Sequence, residues 1–151
     1  MIVGLQIGKE KSVGTQGKNY MELLSRQVNE YSLMAAWNCK QIEKIYISTD
    51  SKKIEESAPK FKATLIHRPK ELATPESLTE DVLLHAYNFI CEYLMEKPDM
   101  VVLLFANTPT IDINKLEQCI QIMKDDTNLD SCFSIVKYNM FSPTRAKKLV
   151  G

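Results

Sequence analysis

The first nineteen residues, Met1–Asn19, read MIVGLQIGKEKSVGTQGKN. The apolar run MIVGLQI, stopped by Gly8, has the composition of a buried strand. Twelve residues follow, Gly8–Asn19, holding three glycines (Gly8, Gly14, Gly17), three lysines (Lys9, Lys11, Lys18) and one acid, Glu10. A strand that opens directly into a flexible cationic loop is the arrangement of a phosphate cradle. Glycines let the backbone turn and present N–H groups, and lysines supply charge. The bland alternative is a solvated surface loop, where glycine and lysine are also common.

Downstream the chain alternates strand and helix. KIYIST, Lys44–Thr49, is β-branched and aromatic; ATLIH, Ala63–His67, is a third strand. DMVVLLFA, Asp99–Ala106, is continuously apolar, as expected of a strand covered on both faces. SCFSIVKY, Ser131–Tyr138, reads as a fifth. Val28–Cys39, with Val28, Tyr31, Leu33, Met34, Ala35 and Trp37, suits a helix buried against a sheet. Ser51 to Ala58 is a short helix stopped near Pro59, with Asp50 placed to cap it. Leu78, Val82, Ala86, Ile90 and Leu94 recur at four-residue steps, with Ser77 and Glu80 at capping-box spacing ahead of them and Pro98 beyond. Leu116, Ile120 and Met123 mark a last helix. This alternation predicts an α/β fold, a mostly parallel sheet with helices on both sides. Such sheets bind ligands at the carboxyl ends of their strands, where the opening loop lies.

Composition frames the setting. The 151 residues predict one domain, 1–151, with hydrophobic content 44% and charged content 25%. Lys+Arg and Asp+Glu are 19 each, and this balance argues against a nucleic-acid or membrane-surface partner. No run approaches membrane-spanning length and the N-terminus has no signal-peptide pattern. Cys39, Cys91, Cys119 and Cys132 lack metal-ligand spacing and read as reduced thiols of a cytoplasmic protein.

Two familiar phosphate loops fail on spacing. Counting back from Gly17-Lys18 puts Ser12 at the first glycine of G-x-x-x-x-G-K-[ST] and Asn19 at its hydroxyl, and no G-x-G occurs. A third pattern fits. GKEKSVGTQGKN resembles A-R-x-G-S-K-G-x-P-x-K-N, the first motif of the acylneuraminate cytidylyltransferases, the CMP-sugar synthetases that activate sialic, legionaminic and related acids. Ser12, Gly14, Lys18 and Asn19 match; Lys9 stands for the arginine, Lys11 for a glycine, Val13 for the lysine and Gln16 for the proline. IEKIYISTDSKKIEESA, HRPKELATPESLTEDVLLHA and LDSCFSIVK resemble the family's later motifs in order and spacing. The strand motif L-L-Q-P-T-S-P-L-R is met by LLFANTPTI, with Phe105, Ala106, Asn107 and Ile111 departing from it.

The resemblance implies a three-layer α/β/α Rossmann-like nucleotidyltransferase fold of the glycosyltransferase-A-like kind. It also implies transfer of CMP from CTP to an acidic sugar, pyrophosphate leaving. Lys18 and Lys9 are the implied catalytic contacts, and Lys9, Lys11, Ser12, Gly14, Lys18, Asn19, Arg68, Ser77 and Asn107 the implied nucleotide-binding set. Mg2+ is the implied cofactor and a homodimer the implied assembly. Asn107 is a candidate metal ligand, the family's paired aspartates being expected beyond Gly151. Arg68, held extended by Pro69, contacts cytosine or triphosphate on this reading, against a rim salt bridge. Ser48 and Thr49 lie at a strand's carboxyl end near the site. His85 reads as a packing histidine rather than a base, His67 stays open, and Lys147-Lys148 reads as a solvated face. Two other functions remain: a relative that holds nucleotide without turnover, suggested by Val13, Phe105 and Ile111, and a nucleotidyltransferase for another sugar or alcohol phosphate. Because the stretches around ISTD and HRPKELAT carry a resemblance to cytidine enzymes, CTP should out-compete UTP, ATP and GTP in binding. Equal affinity for all four would defeat the assignment.

Overall fold

The computed structural model describes residues 1–10, 17–74 and 76–135. Its centre is a four-stranded parallel sheet in the order β5-β4-β1-β6, made of β1 Ile2–Gly8, β4 Lys44–Thr49, β5 Thr64–His67 and β6 Met100–Phe105. A two-stranded antiparallel hairpin, β2 Glu22–Leu23 and β3 Arg26–Gln27, stands apart from it. The helices are α1 Val28–Asn38, α2 Lys52–Glu55, α3 Thr79–Leu94 and α4 Ile113–Asp125. The strand-helix alternation expected from the sequence is therefore present, and every connection between sheet strands is a parallel crossover. Among the described residues no helix is long and apolar enough to cross a membrane.

Strand pleating explains the layers. Side chains alternate across a strand, and β1 divides its residues accordingly. Val3 and Leu5 join Tyr46 and Ile66 under Ala86 and Ile90 of α3. On the opposite face Ile45, Ile47 and Leu104 pack with Leu33 and Ala36 of α1 and Ile54 of α2, and Ile120 of α4 meets Ile2 and Cys39. Two apolar faces each covered by helices make the three-layer arrangement.

Several expectations are corrected. β6 is an edge strand among the described residues: Leu104 is buried, but Met100–Leu103 are only half-buried. A continuous apolar run marks a strand that is covered, yet it does not say how completely. Ser131–Ile135 form no strand: no partner strand lies beside them among the described residues, and Phe133 is 75% exposed; the rest of that expected strand lies outside the described residues, as do Lys147 and Lys148. The helix after Asp50 is one turn, and Pro59 starts a separate 3-10 turn, Pro59–Phe61. Asp50 does not cap it: Ser51 occupies the cap position, without a side-chain cap bond. The Ser77–Glu80 capping box is not formed either. Leu78 is the N-cap of α3, and the Ser77 hydroxyl instead closes the preceding turn by donating to the Glu71 carbonyl at 3.0 Å. Trp37 faces outward, 46% exposed, with Lys62 Nζ 5.5 Å from its ring centroid.

The hairpin was not legible because its turn residues, Leu24 and Ser25, adopt positive φ (49° and 65°) without glycine or asparagine. Gly8 shows the opposite case. A Cβ there would sit 2.7 Å from Ala106 Cβ and 2.9 Å from Ile54 Cδ1, inside van der Waals contact with both. Gly8→Ala should therefore lower unfolding free energy by about 1–3 kcal/mol, the usual cost of overpacking. Urea denaturation measures this, and an unchanged midpoint would show that the strand end can shift aside.

Candidate functional site

A cleft of about 290 Å³ opens at the carboxyl ends of the sheet strands. It is lined by Ile7 and Gly8 from β1, Lys9, Lys18 and Asn19 from the loop, Arg68 and Leu72 after β5, Ser77, Thr79 and Val82 at the start of α3, and Phe105, Ala106 and Asn107 at the end of β6. Six residues singled out from sequence thus line one cleft: Lys9, Lys18, Asn19, Arg68, Ser77 and Asn107. Lys11, Ser12 and Gly14 lie outside the described residues. Three cations and no carboxylate line the cleft among the described residues, while Ile7, Leu72, Val82 and Phe105 give it an apolar floor.

Local structure explains how the cations are set. Gly17, at φ +72°, turns the chain so that its carbonyl accepts from both Tyr20 N (3.0 Å) and Met21 N (2.8 Å). Asn19 is buried, and its Nδ2 donates to the Lys9 carbonyl at 2.7 Å. That bond joins the two ends of the loop and brings Lys9 and Lys18 to the same wall. The Asn19 carbonyl accepts from Asn29 N at 2.9 Å, which ties the loop to α1. Beneath it Gln6 Nε2 donates to the Asn29 carbonyl and to Ser32 Oγ, both at 2.7 Å, and Asn29 Nδ2 donates to Ser57 Oγ at 2.9 Å. This buried polar chain was missed in the sequence, although one amide inside the apolar run MIVGLQI was its visible signal.

Arg68 is not a rim residue. Its side chain is 3% exposed. Nη2 donates to the Ser48 carbonyl at 2.8 Å, Nη1 lies 4.0 Å from Asp50 Oδ1, and Nε is buried with no partner among the described residues. Burial draws the guanidinium below its ordinary pKa, and the Asp50 charge pulls it back. Ser48 and Thr49 are buried behind the cleft rather than lining it: Ser48 supports Arg68, and Thr49 Oγ1 accepts from Ser51 N at 3.0 Å. His67 points to solvent, 78% exposed, with Nδ1 3.4 Å from Glu55. His85 is outside the cleft wall, and its Nδ1 is buried without a partner among the described residues. Ile111 packs against the core under α1.

No group of three His, Cys, Asp or Glu side chains gathers among the described residues. Asn107, like Asn19, Ser77 and Thr79, offers the cleft only a neutral side-chain oxygen, and hard divalent cations prefer carboxylates and water. These residues do not by themselves fit a protein-held magnesium ion.

Comparison with known proteins gives the family. A family model described as cytidylyltransferase matches residues 10–150. The chain belongs to the cytidylyltransferase family. One relative is the N-acylneuraminate cytidylyltransferase of Escherichia coli O18:K1:H7 (strain RS218 / NMEC), 22% identical over 91% of this chain and 32% of that protein. Another is a Helicobacter pylori (strain ATCC 700392 / 26695) protein named pseudaminic acid cytidylyltransferase and UDP-2,4-diacetamido-2,4,6-trideoxy-beta-L-altropyranose hydrolase. It is 25% identical over 93% of this chain and 28% of that protein. The chain thus spans about a third or less of these curated relatives. Among solved structures, CMP:2-keto-3-deoxy-manno-octonic acid synthetase complexed with CTP superposes with TM-score 0.70 at 17% identity, covering 85% of this chain and 49% of that one. A 4-diphosphocytidyl-2C-methyl-D-erythritol synthase superposes with TM-score 0.64 at 9% identity, covering 82% and 54%. At these identities the likeness establishes the fold, that of cytidylyltransferases.

The Asn19–Lys9 bond in this family member yields a direct test. Asn19→Ala removes a buried donor and should cost about 1 kcal/mol or more. Asn19→Asp should cost at least as much, because a carboxylate cannot donate to the Lys9 carbonyl and repels it. Denaturation midpoints for the pair decide the matter; an Asp variant as stable as the parent would exclude a donor role.

Proposed function

We propose that the chain binds CTP in this cleft and transfers its CMP group to an acidic sugar of the nonulosonic type, releasing pyrophosphate. The observation that carries the proposal is the convergence of Lys9, Lys18 and Arg68 on one cleft whose wall is free of carboxylates among the described residues. That wall suits a ligand of high negative charge, and its apolar floor suits a pyrimidine ring. The relatives, named as cytidylyltransferases and a CMP-linked synthetase of acidic sugars, support the cytidylyl group and the acidic sugar.

In the reaction a sugar hydroxyl attacks the α-phosphate and the bond to the β-phosphate oxygen breaks. Positioning and charge neutralisation dominate such transfers. Lys18 and Lys9 hold the β- and γ-phosphates and stabilise the charge that accumulates on departing pyrophosphate. Arg68 is fixed by the Ser48 carbonyl and Asp50, so it reaches a ligand without further ordering. Ser77 and Asn107 offer neutral donors and acceptors to ribose or base. Lys11, Ser12 and Gly14 complete the loop in this reading. The cytoplasmic setting rests on four free thiols, the lack of a nucleic-acid partner on balanced charge, and the homodimer on resemblance alone. A second reading, nucleotide binding without turnover, draws on Phe105, which places an aromatic ring, 45% exposed, where the family motif has glutamine. Pyrophosphate release from CTP with a panel of nonulosonic acids and sugar phosphates separates these readings.

Lys18→Ala tests the cradle. It should weaken CTP far more than CMP, since the β- and γ-phosphates carry most of the charge. A charge-assisted contact is worth roughly 1.5–3 kcal/mol, or about tenfold and more in Kd. Isothermal titration of both ligands is the measurement. Parent-like CTP affinity in the variant would remove the loop from phosphate binding.

A further inference from the structure

Glu10 is the one acid in the loop and is next in sequence to Lys9. A carboxylate free to swing there would meet the same lysines that face the cleft, or oppose an arriving phosphate. The structure keeps it elsewhere. Lys9 and Lys18 line the cleft and Glu10 does not. Its Oε1 accepts from the Tyr20 hydroxyl at 2.8 Å, and its Oε2 accepts from Ser51 Oγ. Both donors are neutral, so they solvate the charge without cancelling it. Ser51 is fully buried at the start of α2. Tyr20 lines a separate polar groove with Arg26, Glu30 and Lys53, and Lys53 Nζ lies 4.9 Å from its ring centroid. The Glu10 backbone N–H donates to Asp50 Oδ1 at 3.0 Å, which fixes the direction in which the chain leaves β1.

We propose that Tyr20 and Ser51 sequester the Glu10 carboxylate away from the cleft, so that the loop offers its lysines to a triphosphate without their own internal counter-ion. Glu10, Tyr20 and Ser51 are positioning residues on this account; none touches the nucleotide. The inference rests on the triphosphate reading of the cleft. It explains how a loop with an acid beside its first lysine can still serve an anion. The Coulomb term is enough to matter: a carboxylate within about 8 Å of a phosphate, near a protein surface, changes affinity roughly three- to tenfold after screening.

The test is a cycle in the intact chain, read by CTP titration at fixed ionic strength. Tyr20→Phe with Ser51→Ala frees a charged Glu10 and should weaken CTP about threefold or more. Adding Glu10→Gln to that background should restore most of the affinity, since the released group is now neutral. A triple variant as weak as the double would show that the hydroxyls matter only by holding the loop's shape, and would overturn the proposal. A double variant that binds like the parent overturns it too. Where the double variant does not fold, Tyr20→Phe with and without Glu10→Gln makes the same comparison. A parent that binds no CTP would overturn the triphosphate reading, and this inference with it. A second readout needs no nucleotide. The hydrogen bond to Glu10, burial and the Glu10 charge together raise the Tyr20 phenol above its ordinary pKa. In Glu10→Gln, carbon-13 tyrosine NMR should show the Tyr20 titration fall, and an unmoved titration would mean the contact is not made in solution.

Discussion

The tightest constraint in the molecule is at the end of β1, where Gly8 passes between Ala106 and Ile54 with no room for a side chain. Ala106 continues β6, and its N–H donates to the Ile7 carbonyl at 3.1 Å. Ile54 belongs to α2, the turn of helix that follows β4. One bare backbone position therefore lets a strand end, a neighbouring strand end and a helix close on each other. Lys9 leaves this junction directly onto the cleft wall, and Asn107 enters it from the other side. The close packing at Gly8 thus lies directly under two residues of the cleft lining.

The described strands and helices were largely legible, for a physical reason. Parallel strands covered by helices must be apolar runs, and Ile2–Gly8, Lys44–Thr49 and Met100–Phe105 are such runs. Helix α3 announced itself by its four-residue steps, and Val82, Ala86 and Ile90 are its buried face. What failed was local and polar. Asp50 and Ser77 are good capping residues by type, but each side chain found a partner outside the cap, Asp50 at Glu10 N and Ser77 at the Glu71 carbonyl. Capping rules count residues along the chain and cannot see a competing donor brought in by the fold. The hairpin turn at Leu24-Ser25 carries no glycine, so nothing in its composition flagged it.

The site was legible in part. Lys9, Lys18, Arg68 and Asn107, each singled out along the chain, line the same cleft. The parts that hold them were not legible. Gln6, Asn29 and Ser57 are ordinary residues, distant in sequence, and their hydrogen bonds exist only once α1 lies on the sheet. The Ser48 carbonyl that seats Arg68 is a backbone group and has no signature at all. Specific side chains advertise chemistry; the groups that orient them are interchangeable and stay silent.

The register of β1 bears on how the molecule comes into being. Its residue Val3 pairs with Lys44, while Ile2 pairs with Met100. Strand β1 thus pairs with its second neighbour, β6, across about a hundred intervening residues. Closing so long a loop is slow and is repaid only when the pairing is complete. Until β6 pairs, Ile7 lacks its partner Phe105 and the cleft lacks Phe105, Ala106 and Asn107, so β1 is an apolar strand with one open side. The cleft lined by Ile7 and Phe105 therefore takes shape only when this long-range pairing closes.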